Sequence, residues 1–205
     1  MLIHYALQAC DLKSYQNQKR YASSDRTEIS KKSIKSFLEA VSKCSTDKDY
    51  TEHHIAIICD SCSQSLLEFI NLSKELYTSD KVKIEIQFLE KSGIMQSIKH
   101  CYEWLRDNGK NLVYQVQDDY LFSTNSIVDM VEVYETINAE TGTQPLISPY
   151  NDSWLWQTHY RNISTPRTVI VGKRGYWIQY YDMSCSFLTS HEQFIQHWDL
   201  YLMFF

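Results

Sequence analysis

The chain of 205 residues carries 20 Lys and Arg against 25 Asp and Glu, a net charge of −5, and is 43% hydrophobic. This acidic balance argues against a broad nucleic-acid surface, and the low glycine and proline content, 5 and 3 residues, against a low-complexity chain. No apolar run approaches the ~18 residues that a membrane span needs, and six cysteines, at 10, 44, 59, 62, 101 and 185, are too sparse for a secreted disulfide scaffold.

"MLIHYALQAC" has no basic leader region and reads as a buried strand over Leu2 to Ala9, so a cytoplasmic protein is expected. "DLKSYQNQKRYASSDRTE" is polar and is expected to be a loop. "ISKKSIKSFLEAVSKC" places Ile29, Ile34, Phe37, Leu38 and Val41 on one helical face. "HHIAIICD" is a second buried strand ending at Asp60, and "SQSLLEFINLSKELY" a helix with Leu66, Leu67, Ile70 and Leu76 inward. "KVKIEIQFL" alternates, with Val82, Ile84, Ile86 and Phe88 on one face. "SGIMQSIKHCYEWLRDNG" is a helix capped by Ser92 and ended by Gly109. "NLVYQVQ" is a fourth strand, and Ser126-x-x-Asp129 resembles a capping box opening the next helix. Strict alternation of strand and helix predicts a mainly parallel sheet with helices on both faces.

After Thr141 the texture changes. "PLISPYND" and "RTVIVGKRGYWIQYYDMSCSFLTS" are strand-like, with a hairpin turn at Gly172 to Gly175, and "HEQFIQHWDLYLMFF" is a last helix. The expected organisation is one α/β domain, with residues 1–143 as its first half and 144–205 as a smaller mixed-strand half. The apolar "LYLMFF" is expected either to dock or to mark a chain that continues.

The chemistry concentrates at strand ends. In an open parallel sheet, ligands bind beyond the carboxyl ends of the strands. Asp60 and the pair Asp118-Asp119 in "YQVQDDYLF" fall at two such ends. Converging carboxylates suit a hard divalent cation, which offsets their mutual repulsion and holds a diphosphate. The plain alternative is a helix cap or solvated turn, although Ser123, Thr124 and Ser126 already supply capping groups. Cys59-Asp60-Ser61-Cys62 is formally C-x-x-C. With no second such pair, zinc is not expected, whereas a thioredoxin-like motif would follow a strand and open a helix, as this one does.

"VYQVQDDYLF" resembles the strand and Asp-x-Asp-type turn of GT-A-fold glycosyltransferases, especially the family 2 group. "IAIICDSCSQSLLEFI" is similar to that family's second strand, with Ser61 and Cys62 where the family commonly has Asp and Gly. "KSGIMQSIKHCYEWLRDNG" resembles the helix before the acidic turn. The likeness runs from Leu2 to about Met130 and is loose beyond. It implies a GT-A-like fold that moves a sugar from a nucleotide-diphosphate donor, expected to be a UDP-sugar, to a hydroxyl acceptor, with inverting chemistry. Asp60 would accept a hydrogen bond from the nucleoside, and main-chain groups around Ala9 to Asp11 would wrap the nucleobase. Asp118 would lie near the ribose and a metal-bound water. Asp119 would bind Mn²⁺ or Mg²⁺, with His191 as a late metal ligand.

The general base of such an enzyme lies beyond a segment like "SCSFLTSHEQFIQHWD". Asp182, Asp199 and Glu192 are the acids at hand, each with a plain reading as surface charge. Tyr150, Trp154, Trp156, His159, Tyr160 and Arg161 suit a sugar-binding face or a small aromatic core. Arg167, Lys173 and Arg174 suit phosphate or a solvated hairpin. The competing readings are a degenerate GT-A domain that binds carbohydrate or a partner protein, and a sugar-phosphate nucleotidyltransferase. The latter class needs a glycine-rich loop after the first strand, which "ACDLKSYQNQKRY" lacks. A phosphatase with an aspartyl nucleophile wants Asp-x-Asp followed by Thr or Val, not "QDDYLF".

Overall fold

The structure, a computed structural model, describes residues 1–11, 25–90, 93–149, 168–179 and 186–203. Its elements in chain order are β1 (Leu2–Ala9), α1 (Arg26–Asp47), β2 (Glu52–Cys59), α2 (Gln64–Tyr77), β3 (Val82–Phe88), α3 (Ile94–Asn108), β4 (Leu112–Gln117), α4 (Ser126–Thr141), β5 (Val169–Val171), β6 (Tyr176–Ile178), β7 (Phe187–Ser190), α5 (His191–Gln196) and α6 (Trp198–Leu202). The central sheet has the order β3-β2-β1-β4-β7. The first four strands are parallel and β7 pairs antiparallel to β4.

Alternation along each strand divides the core into two layers. Ile3, Tyr5, Leu7 and Ala9 of β1, with Ile55, Ile57, Tyr114 and Val116, face α1, α2 and α4. Ala6, Ala56, Ile58, Val113 and Phe187 face α3, α5 and α6. The chain runs β1 to β3 with helices on one face, then returns to β4 with α3 on the other, as right-handed crossovers require. The expected α/β architecture, a mainly parallel sheet between helices, is therefore present. No helix among the described residues is long and apolar enough to cross a membrane.

Several local expectations need correction. Helix α1 starts at Arg26 rather than Ile29, because the Asp25 side chain accepts from the Thr27 and Glu28 amides. Asn125, not Ser126, precedes α4, and Ser126 Oγ is buried without a partner. Leu76 is exposed with Leu72 on the solvent face of α2, opposite the buried Leu66, Ile70 and Ser73, and Phe88 is exposed as the last residue of the edge strand β3. The described residues of "PLISPYND" form no extended strand but a bridge between Ile147 and Leu188. The last helix breaks at His197 into α5 and α6; Tyr201 enters the core while Met203 is exposed. The hairpin turn is as expected, closed by Gly172 N–H to the Gly175 carbonyl at 2.8 Å. Ser92 lies outside the described residues, and Gly93 is the residue preceding α3.

Candidate functional site at the carboxyl edge of the sheet

The strand order reverses between β1 and β4, so the crevice between their carboxyl ends is the point where an open α/β sheet offers a ligand site. Asp11 follows β1, Asp60 follows β2, and Asp118 and Asp119 follow β4. The structure thus brings four of the predicted acids to one edge, three of them buried and Asp119 exposed.

Each buried carboxylate is held by the start of a helix. Asp118 Oδ2 accepts from the Cys10 amide at 2.9 Å and from Ser30 Oγ at 2.7 Å. Its Oδ1 pairs with the Arg26 guanidinium, whose Nε also donates to the Cys10 carbonyl at 3.1 Å. Asp118 therefore clasps the reversal point itself, joining β4 to β1 and to the first turn of α1. Asp11 accepts from the Ser63 amide at 2.6 Å, from Ser63 Oγ at 2.5 Å and from Thr27 Oγ1 at 2.6 Å, tying β1 to the starts of α2 and α1. Asp60 accepts from the Gly93 amide at 3.0 Å, before α3, and from Ser61 Oγ at 3.0 Å. Helix N-termini favour negative charge, so these contacts compensate acids that water cannot reach. Burial pushes the Asp118 carboxyl above its ordinary value; the Arg26 guanidinium and the bonds from Cys10 and Ser30 pull the other way.

Arg26, Ser30, Thr27 and Ser63 had no place among the predicted site residues. The sequence signal for the first three was Asp25-x-x-Glu28, a helix-start pattern that puts Arg26 in the first turn. The main chain of Ala9 is engaged within the fold: its carbonyl accepts from the Asp60 amide at 2.9 Å and from Cys62 Sγ at 3.2 Å.

His191 does not join this group. β7 runs antiparallel to β4 with Ser190 opposite Leu112, at the amino end of β4. At ~3.3 Å per residue that end lies roughly 20 Å from Asp118. There His191 Nε2 lies 2.8 Å from the Arg106 carbonyl. Asp199 is exposed on α6, next to Trp198, whose ring lies 4.8 Å from the Arg106 guanidinium in the last turn of α3. Glu192 accepts from Gln144 Nε2 at 2.9 Å. Asp182 lies outside the described residues, as do Arg167 and the aromatic group from Tyr150 to Arg161. Lys173 and Arg174 pair with Glu132 and Asp129 of α4 at 3.1 and 2.5 Å.

Among the described residues, no group of three His, Cys, Asp or Glu side chains is arranged to hold a metal ion. Asp118 is a poor cation ligand as it stands, with both oxygens engaged and a guanidinium beside it. Asp119 beside the engaged Asp118 does not by itself make a site for a resident ion. Neither models of known protein families nor curated proteins match the chain.

Proposed function

We propose that the chain is a glycosyltransferase of GT-A type, which takes a nucleoside-diphosphate sugar in the crevice between β1 and β4 and passes the sugar to a hydroxyl acceptor. The observation that carries this reading is the division of labour in the acidic pair. Asp118 is buried and builds the crevice, while its neighbour Asp119 is exposed at the reversal point. One carboxylate, two phosphates and water make a ligand set that Mg²⁺ or Mn²⁺ accepts. Such a cation, when bound, supplies Lewis-acid stabilisation to the departing nucleoside diphosphate. Asp119 would hold it; Asp118, through Arg26, would keep the start of α1 against the crevice. Cys44, Cys59, Cys62 and Cys101 are free thiols, which suits a cytoplasmic setting.

Calorimetric titration of nucleoside diphosphates with and without Mn²⁺ tests the proposal. Binding that needs the metal and disappears in Asp119→Ala, with unchanged thermal stability, is the expected result. Equal affinity in both proteins refutes it.

A second reading is a binding module with the same fold and no turnover. It draws support from the engagement of Asp60 and Asp118 by internal donors. Hydrolysis of a UDP-sugar in the presence of Mn²⁺ separates the two: turnover supports the enzyme, and metal-dependent binding without turnover supports the module.

A further inference from the structure

The loop between β2 and α2 carries a second chemistry. β2 ends at Cys59, paired in register with Ala9 of β1. Ser61 then adopts φ 55°, in the left-handed region that non-glycine residues seldom enter. Past this turn, Cys62 Sγ lies 3.2 Å from the carbonyl of Ala9, the residue of β1 that pairs with Cys59, so both cysteines stand beside the same residue. Cys59 is only 4% exposed, whereas Cys62 is half-buried.

We propose that Cys59 and Cys62 are a redox-active dithiol, closing to a disulfide by exchange with a low-molecular-weight disulfide such as oxidised glutathione. Both cysteines stand beside Ala9 of β1, and Cys62 is the one a reagent reaches. Cys62 gives up its proton to solvent and its sulfur attacks one sulfur of the reagent, forming a mixed disulfide and releasing a thiolate that takes up a proton. Cys59 then loses its proton and attacks Cys62 Sγ, closing the protein disulfide and releasing the second thiol. Two electrons pass from the cysteine pair to the reagent. Closure takes Cys62 from the Ala9 carbonyl and shifts a loop whose Asp60 holds α3 and whose Ser63 holds Asp11. The proposal does not depend on the acids binding a nucleotide sugar.

The test uses the full chain, reduced and then equilibrated without oxygen in glutathione buffers of rising oxidised share, trapped with acid, alkylated and read by peptide mass spectrometry. The expected result is loss of two hydrogens on the peptide carrying Cys59 and Cys62, in one transition that dithiothreitol reverses. Cys44 and Cys101, both fully buried, stay reduced. Cys10→Ser keeps the transition; Cys59→Ser loses the disulfide completely and ends with glutathione on Cys62. Recovery of both thiols alkylated at the most oxidising ratio overturns the proposal, as does a bridge from Cys62 to Cys10. The measurement on the native chain decides the matter even where a variant fails to fold.

Discussion

Replacing Asp118 by Asn probes the clasp between β1 and β4. The amide keeps one carbonyl oxygen for the Cys10 amide and Ser30 Oγ, but turns an NH₂ toward Arg26, setting donor against donor. The side chains of the pair are 4% and 18% exposed, and Arg26 Nη1 is already without a partner. Removing one member of a buried ion pair costs about 3–5 kcal/mol. The partial exposure of Arg26 puts Asp118→Asn near the low end, about 3 kcal/mol. Arg26→Met in the same background removes the stranded charge, so the double variant should recover about 2 kcal/mol relative to the sum of the single losses. With a urea dependence of about 2 kcal/mol per M, the single variant lowers the unfolding midpoint by roughly 1.5 M. Urea unfolding followed by circular dichroism on all four proteins gives the coupling directly. Additive losses, or an Asn variant within about 0.5 kcal/mol of the native chain, would show that the pair does not hold the edge together.

Acid should weaken the fold through two buried histidines. Burial lowers His4 and His53 from 6.5 to about 4, with His54, Lys110 and His191 adding to the effect on His4, and the N-terminus and Lys81 on His53. The folded state therefore prefers both rings neutral: their contribution is complete above 6.5 and is lost as pH falls toward 4, by up to about 3 kcal/mol each. Melting temperature should drop across that window and less steeply in His53→Gln; an equal slope in the variant refutes this. Gly109→Ala should destabilise by about 1–3 kcal/mol. Its Cβ would run into the Leu105 carbonyl and meet His191 Cδ2 at 2.5 Å and Val113 Cγ1 at 2.7 Å. An unchanged melting temperature would count against that packing. Asp60→Ala should cost about 1–2 kcal/mol by baring the start of α3, where Gly93 offers no side-chain cap. Hydrogen exchange at the Gly93 amide reads the loss, and unaltered protection there argues against the bond.

The parallel sheet is legible in the residues because each of its strands is a short apolar or alternating run set between helical periods. Asp60 and Asp118 are legible for the same reason: an acid that ends an apolar run must find compensation. Their partners are not, since Arg26 and Asp118 stand 92 positions apart and only the strand order brings them together. His191 illustrates a different limit. Its place at a helix start is plain from the residues, but strand direction is not, and the antiparallel return of β7 carries it to the opposite edge. Apolar residues off the buried stripe mislead for a geometric reason. Leu76 is apolar but shares the solvent face of α2 with Leu72, while Leu66, Ile70 and Ser73 form the buried stripe.

The position of β1 has a consequence for how the chain assembles. Among the described strands, β1 comes earliest in the chain and lies in the middle of the sheet, and its two partners follow at very different distances along the chain. β2 follows within one helical connection, but β4 closes the other side only after α3 has crossed the opposite face, with Leu112 against Ile3. A chain in which β4 has not docked would leave β1 as an open edge of apolar residues, the kind of edge on which partly folded chains aggregate. Docking of β4 seals it and at the same moment delivers Asp118 to Cys10 and Arg26. The acidic edge and the cover over β1 thus depend on the same strand, and a lesion in the clasp should show in the yield of folded chain as well as in its equilibrium stability.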